Sequence, residues 1–387
     1  MALGEIFTAP IEGLVTGGAG LARLRGRPVF IEAVAPGDVI TGKIIEEKSG
    51  YSRGELVNLV ESSSHRVEPG CPLYGLCGGC NLQHLDYPSQ LEQKERILRD
   101  TLRRIGKVEQ LPPLVVVPSK PYGYRNRMQF HRLPHRGNRG ETVGLIKRQS
   151  TIPLPIGDCP IADDPIRSAL RKGTLTPPPL KDRFTVYGRG DLLLLEGAQS
   201  QGIVPMGDKK IRMDAQLFFQ SNADLLEVLI KDLIRLARKA DPTRAAADIY
   251  CGVGTFSVFL SDIFPSLTLV EQNPRSLELA KQNLAGKRAE FYPLSESEWV
   301  TKQKKGSQPF GFMVLDPPRL GLSSILRDYI AQRGPPLVAY VSCDPATLAR
   351  DTKELVAGAY TLGALTLYDF YPQTAHIETL AFFERSS

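Results

Sequence analysis

The sequence contains no apolar run that approaches the ~20 residues a helix needs to span a bilayer. Its first residues lack a basic stretch followed by an apolar one, since Gly4 and Glu5 come soon after Met1, and no secretory signal is expected. Internal repeats and low-complexity tracts are also absent from the sequence. We therefore expect a cytoplasmic protein with no membrane partner.

Acidic residues are scarce in one part of the chain, the segment 96–148, which has thirteen Lys or Arg residues and three Asp or Glu. Tyr122, Tyr124 and Phe130 lie among these cations. Basic side chains neutralise phosphates and aromatic rings stack on bases. The segment therefore predicts contact with RNA or DNA, although a solvated basic face is the plainer alternative.

The 387 residues are too many for one ordinary hydrophobic core. Residues 1–68 contain short strand-like runs separated by Gly-rich turns, a pattern typical of a small β-barrel. Residues 69–217 are expected to be mainly β, with a helix at about 87–112 that packs on the last domain. In residues 218–387, apolar strands alternate with helices, which predicts a parallel sheet with βαβ crossovers.

The stretch Asp248–Phe256 runs from an apolar strand through a turn with Gly252 and Gly254 into a helix. The glycines let a ligand approach the backbone closely, and Glu271, at the end of the next strand, can accept hydrogen bonds from ribose hydroxyls. The third glycine of the dinucleotide fingerprint is missing, because Ser257 occupies its position. The arrangement predicts an adenosine cofactor, with S-adenosylmethionine favoured over NAD.

Other reactive side chains lie at or near strand ends. Asp316 precedes two prolines, a rigid pair that can hold a planar base and aim the carboxylate into a crevice. Cys343 ends an apolar strand, and is either a nucleophile at the floor of a crevice or a small buried hydrophobe. His376 and Glu378 are two apart and are expected to share one face of a strand, where either could act as a general base.

Four of the six cysteines lie beside Gly or Pro in loops: Cys71, Cys77, Cys80 and Cys159. In a cytosolic chain, cysteines at short spacings indicate metal binding or catalysis before disulfides. Four thiolates suffice for a [4Fe-4S] cluster, whereas a zinc ion would use the first three with His84 or Cys159. The cysteine spacing alone does not decide between a [4Fe-4S] cluster and a zinc ion.

Together these motifs resemble those of the RNA uracil-5-methyltransferase family over nearly the whole chain. The first domain resembles the family's TRAM module, and the cysteine spacing resembles its iron–sulfur site. The segments that follow the family's catalytic motifs in order are Phe218–Gln220, Asp248–Phe256, Asp316–Gly321, Ser342–Asp351 and Pro372–Glu378. The resemblance implies an α/β fold: a Rossmann-like class I S-adenosylmethionine-dependent methyltransferase domain after a TRAM/OB-like β-barrel and a central, mainly β iron–sulfur domain.

The resemblance also implies roles for individual residues. Cys343 would be the nucleophile, Glu378 the base, and the four loop cysteines the ligands of a [4Fe-4S] cluster. The S-adenosylmethionine site would be lined by Gln220, Tyr250, Thr255, Glu271 and Asp316. Three positions depart from the family pattern: Thr255 stands where Asn is frequent, Asp344 where Asn is usual, and Ser295 where the family has an amide side chain. The charge of Asp344 is expected to disfavour a thiolate at Cys343 unless it is paired.

The implied reaction is methylation of uridine C5 in structured RNA through a covalent adduct between Cys343 and C6. Ribosomal 23S RNA is favoured as the substrate, and uridine 54 of tRNA is the alternative. Two other hypotheses are a methyltransferase acting on base amino groups, which needs no cysteine, and a non-catalytic iron–sulfur RNA-binding protein. A monomer is expected.

Overall fold

The computed structural model of the protein describes residues 2–134, 142–197, 199–303 and 310–385. Three charged residues of the basic segment, Arg136, Arg139 and Glu141, lie outside the described residues. Across these four ranges, no helix is long and apolar enough to cross a membrane. The strands of the described residues form four sheets.

The first sheet is a curled, six-stranded half-barrel. Its strands are β1 Ile6–Pro10, β2 Gly13–Leu14, β3 Gly20–Leu24, β4 Arg27–Ile31, β5 Val39–Glu47 and β6 Ser52–Glu61, in the spatial order β1-β5-β6-β4-β3-β2. Burial alternates along β1, so Phe7 and Ala9 enter a small core with Val29 and Ile40. The short strand-like runs and Gly-rich turns of the sequence therefore give the small β-rich unit that was expected.

The middle of the chain begins with helix α1 Tyr87–Arg104 and strand β7 Leu114–Val117. A five-stranded antiparallel sheet and a hairpin follow: β8 Arg127–Arg132, β9 Val143–Ile146, β10 Pro153–Pro155, helix α2 Asp164–Arg171, β11 Arg183–Arg189, β12 Leu192–Leu195, β13 Gln201–Met206 and β14 Lys209–Asp214. The sheet has the order β10-β9-β8-β11-β12, and β13 pairs with β14. The predominance of strands agrees with the pattern of the sequence.

The last part alternates helices and strands: α3 Ala223–Ala237, β15 Ala246–Ile249, α4 Thr255–Leu260, β16 Leu267–Val270, α5 Pro274–Asn283, β17 Ala289–Tyr292, α6 Glu296–Lys302, β18 Phe312–Leu315, α7 Ser324–Arg333, β19 Leu337–Ser342, α8 Pro345–Ala357, β20 Tyr360–Tyr368 and β21 Glu378–Arg385. The eight-stranded sheet has the order β17-β16-β15-β18-β19-β21-β20-β7. Only β21 runs antiparallel to its neighbours.

The buried strands of this sheet position the ligand crevice. Every residue of β15, β16 and β18 is buried, as expected for parallel strands covered by helices on both faces. The strand order changes direction between β15 and β18, and such a switch opens a crevice at the carboxyl ends of the strands.

Two elements from the middle of the chain belong to the last sheet. Strand β7 pairs parallel with β20, and α1 packs against α8 with Leu98 and Leu102 in a shared core. The helix expected at about 87–112 ends at Arg104. Parts of the expected middle domain thus belong to the expected last domain. A division of the chain into domains at residues 68 and 217 stays a prediction.

An ion pair buried between α1 and the last sheet predicts a large effect on stability. Lys94 Nζ lies 2.5 Å from Asp369 Oδ1, and the two side chains are 1% and 0% exposed. We expect Lys94→Met to lower the free energy of unfolding by about 3–5 kcal/mol, because it leaves a buried carboxylate without its cation. Urea unfolding measures the loss.

The matched control is Lys281→Met, since Lys281 pairs with Glu278 on an exposed helix face where the two side chains are 50% and 60% exposed. An exposed pair contributes at most about 1 kcal/mol. Equal losses in the two variants would contradict the importance of the buried pair.

Candidate active site

A cavity of about 630 Å³ lies at the carboxyl ends of β15, β16, β18 and β19. It brings together all seven residues proposed from the sequence for the cofactor and the chemistry: Gln220, Tyr250, Thr255, Glu271, Asp316, Cys343 and Glu378. They come from six separate parts of the chain, and the ends of the parallel strands β15, β16, β18 and β19 supply four of these parts.

The glycine turn after β15 has a left-handed backbone at three positions. Tyr250, Gly252 and Gly254 have φ angles of 67°, 55° and 80°. A Cβ on Gly254 would lie 3.2 Å from Ala280 Cβ, whereas one on Gly252 would meet nothing within 4 Å. Tyr250 is not a glycine, and such a strained residue in a cavity wall is typical of ligand sites.

Glu271 holds this turn as well as facing the cavity. Its Oε2 accepts a hydrogen bond from Gly252 N at 3.1 Å, and its Oε1 accepts one from Asn273 N at 2.7 Å. Each carboxylate oxygen has further lone pairs for ligand hydroxyls. The sequence pointed to the ligand role but not to this support of the turn.

Two carboxyl groups lie beside the glycine turn, those of buried Asp248 and half-buried Asp316. Burial raises the pKa of Asp248 to about 7 and the pKa of Asp316 to about 7. Ser257 Oγ donates to Asp248 Oδ2 at 2.5 Å, and Gln220 Nε2 donates to Asp316 Oδ2 at 3.4 Å. Ser257, which replaces the third fingerprint glycine, thus ties α4 to the end of β15.

Cys343 lies between β19 and the first turn of α8. Asp344 is the N-cap of that helix, and its Oδ1 accepts hydrogen bonds from Ala346 N and Thr347 N, both at 2.9 Å. The charge of Asp344 therefore has the partners that the sequence did not reveal: two backbone amides at a helix N-terminus.

The surroundings of Cys343 favour its protonated thiol over the thiolate. Burial first, and then the carboxyl groups of Glu378 and Asp316, raise its pKa to about 12, while the Arg319 guanidinium lowers it. Asp344 raises the pKa less than these two acids. Asp344 therefore disfavours the thiolate, as expected, but desolvation and the two other acids do so more strongly.

Glu378 and His376 do not share a strand face, so the expectation that they do is wrong. Glu378 is the first residue of β21, whereas His376 lies in the preceding loop. Burial, reinforced by Asp316, raises the pKa of Glu378 well above its usual value. Desolvation and the nearby Arg319 lower the pKa of His376 to about 4, and Arg319 Nη2 donates to its Nδ1 at 3.3 Å. A neutral histidine bound in this way is the weaker base.

Arg125 also lines the cavity and was missed among the site residues. Its guanidinium carbon lies 5.8 Å from the centroid of the Tyr371 ring, another part of the wall. Arg125 belongs to the basic segment 96–148, whose composition indicated nucleic-acid contact without pointing to one position.

The four loop cysteines line a second cavity of about 670 Å³, whose wall also includes Arg125. Burial raises the pKa of Cys77, and it raises the pKa of Cys80 to about 11 and that of Cys159 to about 12. Within the part of the chain that the structure describes, no three Cys, His, Asp or Glu side chains form a group that could hold a metal ion.

His84 does not complete a zinc site with these cysteines. Its Nδ1 lies 2.5 Å from Tyr74 Oη, and its Nε2 lies 3.0 Å from the carbonyl oxygen of Val34. Both ring nitrogens therefore have protein partners, which leaves no nitrogen free for zinc. The alternative of a zinc ion held by His84 is wrong.

Comparison with known proteins adds to this geometry. Residues 188–386 match the family model described as tRNA (Uracil-5-)-methyltransferase, and residues 2–57 match the TRAM domain, as expected. The chain is 31% identical to the 23S rRNA (uracil(1939)-C(5))-methyltransferase of Azoarcus sp., over 98% of this chain and 99% of that protein. It is 30% identical to the protein of the same name from Vibrio parahaemolyticus, over 97% and 95% of the two.

A solved structure confirms the expected fold. The tRNA (uracil-54, C5)-methyltransferase of Pyrococcus abyssi, in complex with S-adenosyl-L-homocysteine, aligns with a TM-score of 0.74 and 24% identity. The alignment covers 97% of this chain and 100% of that one. The half-barrel, the middle sheet and the class I methyltransferase sheet thus form one known arrangement.

The charges around Cys343 predict its reactivity. We expect slow alkylation by iodoacetamide near neutral pH, because the thiolate is the nucleophile and the pKa of the thiol is about 12. Glu378→Gln should accelerate the reaction more than Asp344→Asn, since Glu378 raises this pKa more than Asp344 does. Mass spectrometry of the Cys343 peptide, from about pH 8 to pH 10, gives the rates.

Asp344→Asn is the matched control, because an asparagine oxygen still caps α8. Equal acceleration by both variants would contradict the order of the charge effects.

Proposed function

The chain belongs to the tRNA (uracil-5-)-methyltransferase family, and from that membership we propose the roles of its residues in methylating uridine C5. The family resemblance seen in the motifs is confirmed, and the chain is an S-adenosylmethionine-dependent RNA uracil-C5 methyltransferase. The observation that supports the assignment of roles is the meeting of Cys343, Glu378 and the cofactor residues in one cavity.

The residues of the glycine turn and its surroundings suit S-adenosylmethionine. Gln220 Oε1 is buried without a hydrogen-bond partner among the described residues and lies in the cavity wall, where it can accept from a ligand N–H. Glu271 has lone pairs left for ribose hydroxyls, and Tyr250, Thr255 and Asp316 complete the wall. When bound, S-adenosylmethionine supplies the methyl group as a sulfonium.

Cys343 is the nucleophile of the proposed reaction. Its Sγ forms a bond to C6 of the uracil, and the electrons of the C5–C6 double bond move towards C5 and O4. The thiol must first lose its proton, for which the carboxylate of Asp316, with its raised pKa, is a suitable acceptor that leaves Glu378 free for the last step. Arg319 favours the thiolate by its charge.

Glu378 is the base of the last step. After C5 has gained the methyl group, the carboxylate removes the remaining C5 proton, the C5–C6 double bond re-forms and the Sγ–C6 bond breaks. Burial raises the pKa of Glu378, which strengthens it as a base. The adduct therefore persists wherever Glu378 is absent or displaced.

The target uridine must leave its stack to reach the cavity, which single-stranded or loop RNA permits most readily. Phe218 lines the cavity and is 62% exposed, so its ring can stack on a neighbouring base. The half-barrel and the segment 96–148 would contact the flanking phosphates. We further propose a cytoplasmic protein that acts as a monomer, since residues of this chain supply every role in the reaction.

Ribosomal 23S RNA is the proposed substrate. The chain matches two enzymes named for that RNA over at least 97% of its length and includes the TRAM domain. The similarity to the Pyrococcus abyssi tRNA enzyme, at 24% identity, supports the fold but not the choice of RNA. Uridine 54 of tRNA remains the comparison substrate.

A [4Fe-4S] cluster on Cys71, Cys77, Cys80 and Cys159 is the proposed metal site. Four thiolates are its usual ligand set, and all four thiols line one cavity. A cluster is larger than one ion, so its ligands stand further apart than those of a single metal. The reaction has no redox step, so the cluster would stabilise the fold.

Removal of the nucleophile tests the mechanism. We expect Cys343→Ala to lower methyl transfer to RNA at least about a thousandfold, while RNA binding in a filter assay stays near that of the unchanged protein. RNA with 5-fluorouridine at the target should trap a covalent complex with the unchanged protein, because fluorine cannot leave as a proton. Full activity of Cys343→Ala would favour an amino-group methyltransferase instead.

Analysis of the metal tests the cluster. Anaerobically purified protein should contain about four iron atoms per chain and absorb visible light, and Cys77→Ser should lose both. The control is Cys251→Ser, since Cys251 lines the active-site cavity and not the cysteine cavity. Zinc in place of iron, or equal loss in the control, would contradict the cluster.

The RNA is tested in cells and with purified protein. Cells that lack the gene should lose 5-methyluridine from 23S ribosomal RNA and keep it in tRNA. The purified enzyme should prefer a 23S fragment over tRNA at least about tenfold in kcat/KM. The reverse preference would assign the tRNA reaction.

A further inference from the structure

The loop 371–377 is the later part of the connection between β20 and β21, and it leads directly into Glu378. Gln373 in this loop is 4% exposed and has a φ of 67°, a strained backbone for a residue with a side chain. A strained loop persists only where its surroundings hold it. Most of the contacts that hold this loop come from outside the last domain.

The segment after Cys80 provides three of these contacts. The backbone nitrogens of Asn81 and Leu82 donate to the carbonyl oxygen of Gln373 at 3.1 and 3.0 Å. Ala375 N donates to Asn81 Oδ1 at 2.9 Å. Asn81 therefore holds the loop at two positions, and it follows directly after a cysteine of the second cavity.

Helix α1 and the segment before β8 hold the same loop. Gln90 Oε1 accepts from Gln373 N at 2.9 Å, and Gln90 Nε2 donates to Gln373 Oε1 at 3.0 Å. Tyr124 Oη donates to the carbonyl oxygen of Pro372 at 2.8 Å. These bonds fix Gln373, so Asn81 sets the position of the part of the loop nearer Glu378.

A turn of the half-barrel reaches the same place. Asn81 Nδ2 donates to the carbonyl oxygen of Gly17 at 2.9 Å. A Cβ on Gly18 would lie 2.8 Å from Asn81 Nδ2 and 2.9 Å from Ala375 Cβ. The half-barrel, the cysteine segment and the loop before Glu378 thus meet at one asparagine side chain.

We propose that Asn81 is a positioning residue, which links the cysteine segment and the half-barrel to the loop that places Glu378 for proton removal. The proposal rests on the proposed role of Glu378 as the base. Loss of the bond from Ala375 N would let the loop shift. The nucleophile and the glycine turn would stay in place, since they lie on other strands.

Two steps of the reaction, formation of the methylated covalent complex and removal of the C5 proton, distinguish this role from a general loss of structure. We expect Asn81→Ala to lower kcat about tenfold to a hundredfold, as a displacement of the base by about 1 Å would, with the KM for S-adenosylmethionine unchanged. The methylated covalent complex with ordinary uridine RNA should accumulate on denaturing gels, as it should in Glu378→Gln. Asn81→Asp keeps the oxygen that accepts from Ala375 N but loses the donor to Gly17, so its activity should lie between those of Asn81→Ala and the unchanged protein.

The two glycines of the turn provide a second, matched pair of variants. Gly17 and Gly18 have φ angles of 91° and 88°, so alanine costs a similar backbone strain at either position. A Cβ on Gly17 meets nothing within 4 Å, whereas one on Gly18 presses on Asn81 and Ala375. Gly18→Ala should accumulate more covalent complex than Gly17→Ala, and the difference reports the contact.

Amide hydrogen exchange in the full chain gives a readout that needs neither activity nor metal. Exchange in residues 371–377 should rise in Asn81→Ala and in Gly18→Ala relative to Gly17→Ala. Unchanged exchange, or lost activity without covalent complex, would overturn the positioning role. If the unchanged protein makes no 5-methyluridine, the proposed function fails, and the exchange result still decides whether Asn81 holds the loop.

Discussion

Desolvation of acidic groups in one cavity is the constraint on which the site depends. Cys343, Asp316 and Glu378 share a wall where burial raises the pKa of each. Each carboxylate also raises the pKa of a neighbouring acid, so the free site tends to hold protons. A cationic ligand would relieve this repulsion, and catalysis by the thiolate is in this sense coupled to occupation of the cavity.

Much of the site could be predicted because parallel strands impose it. The ends of β15, β16, β18 and β19 were visible as apolar runs followed by Gly, Glu, Asp and Cys, and the sheet brings such ends together. The N-cap of α3 is Asn222, a residue type that favours this position. The family resemblance alone implied a cofactor role for Gln220, Tyr250 and Thr255, because no periodicity in the sequence distinguishes these residues.

Other features could not be predicted from local pattern. The backbone partners of Asp344 depend on where α8 begins, and the sequence does not give that start to within one residue. His376 was assigned to the strand face of Glu378, but β21 starts at Glu378 because the loop before it is held by distant segments. The contact of Asn81 with Ala375 joins residues 294 positions apart, and no local sequence signal reports such a pairing.

Strand β7 has a consequence for how the chain can be divided. It adds the edge strand to the last sheet, where its residues pair with β20 about 250 positions later. A fragment with residues 218–387 alone would present the bare edge of β20, and uncovered β-edges recruit other chains. Residues 218–387 therefore do not form a unit that could be fused to another RNA-binding domain. A functional fusion must include residues 87–117, and the ribosome must synthesise that segment before the sheet can be completed.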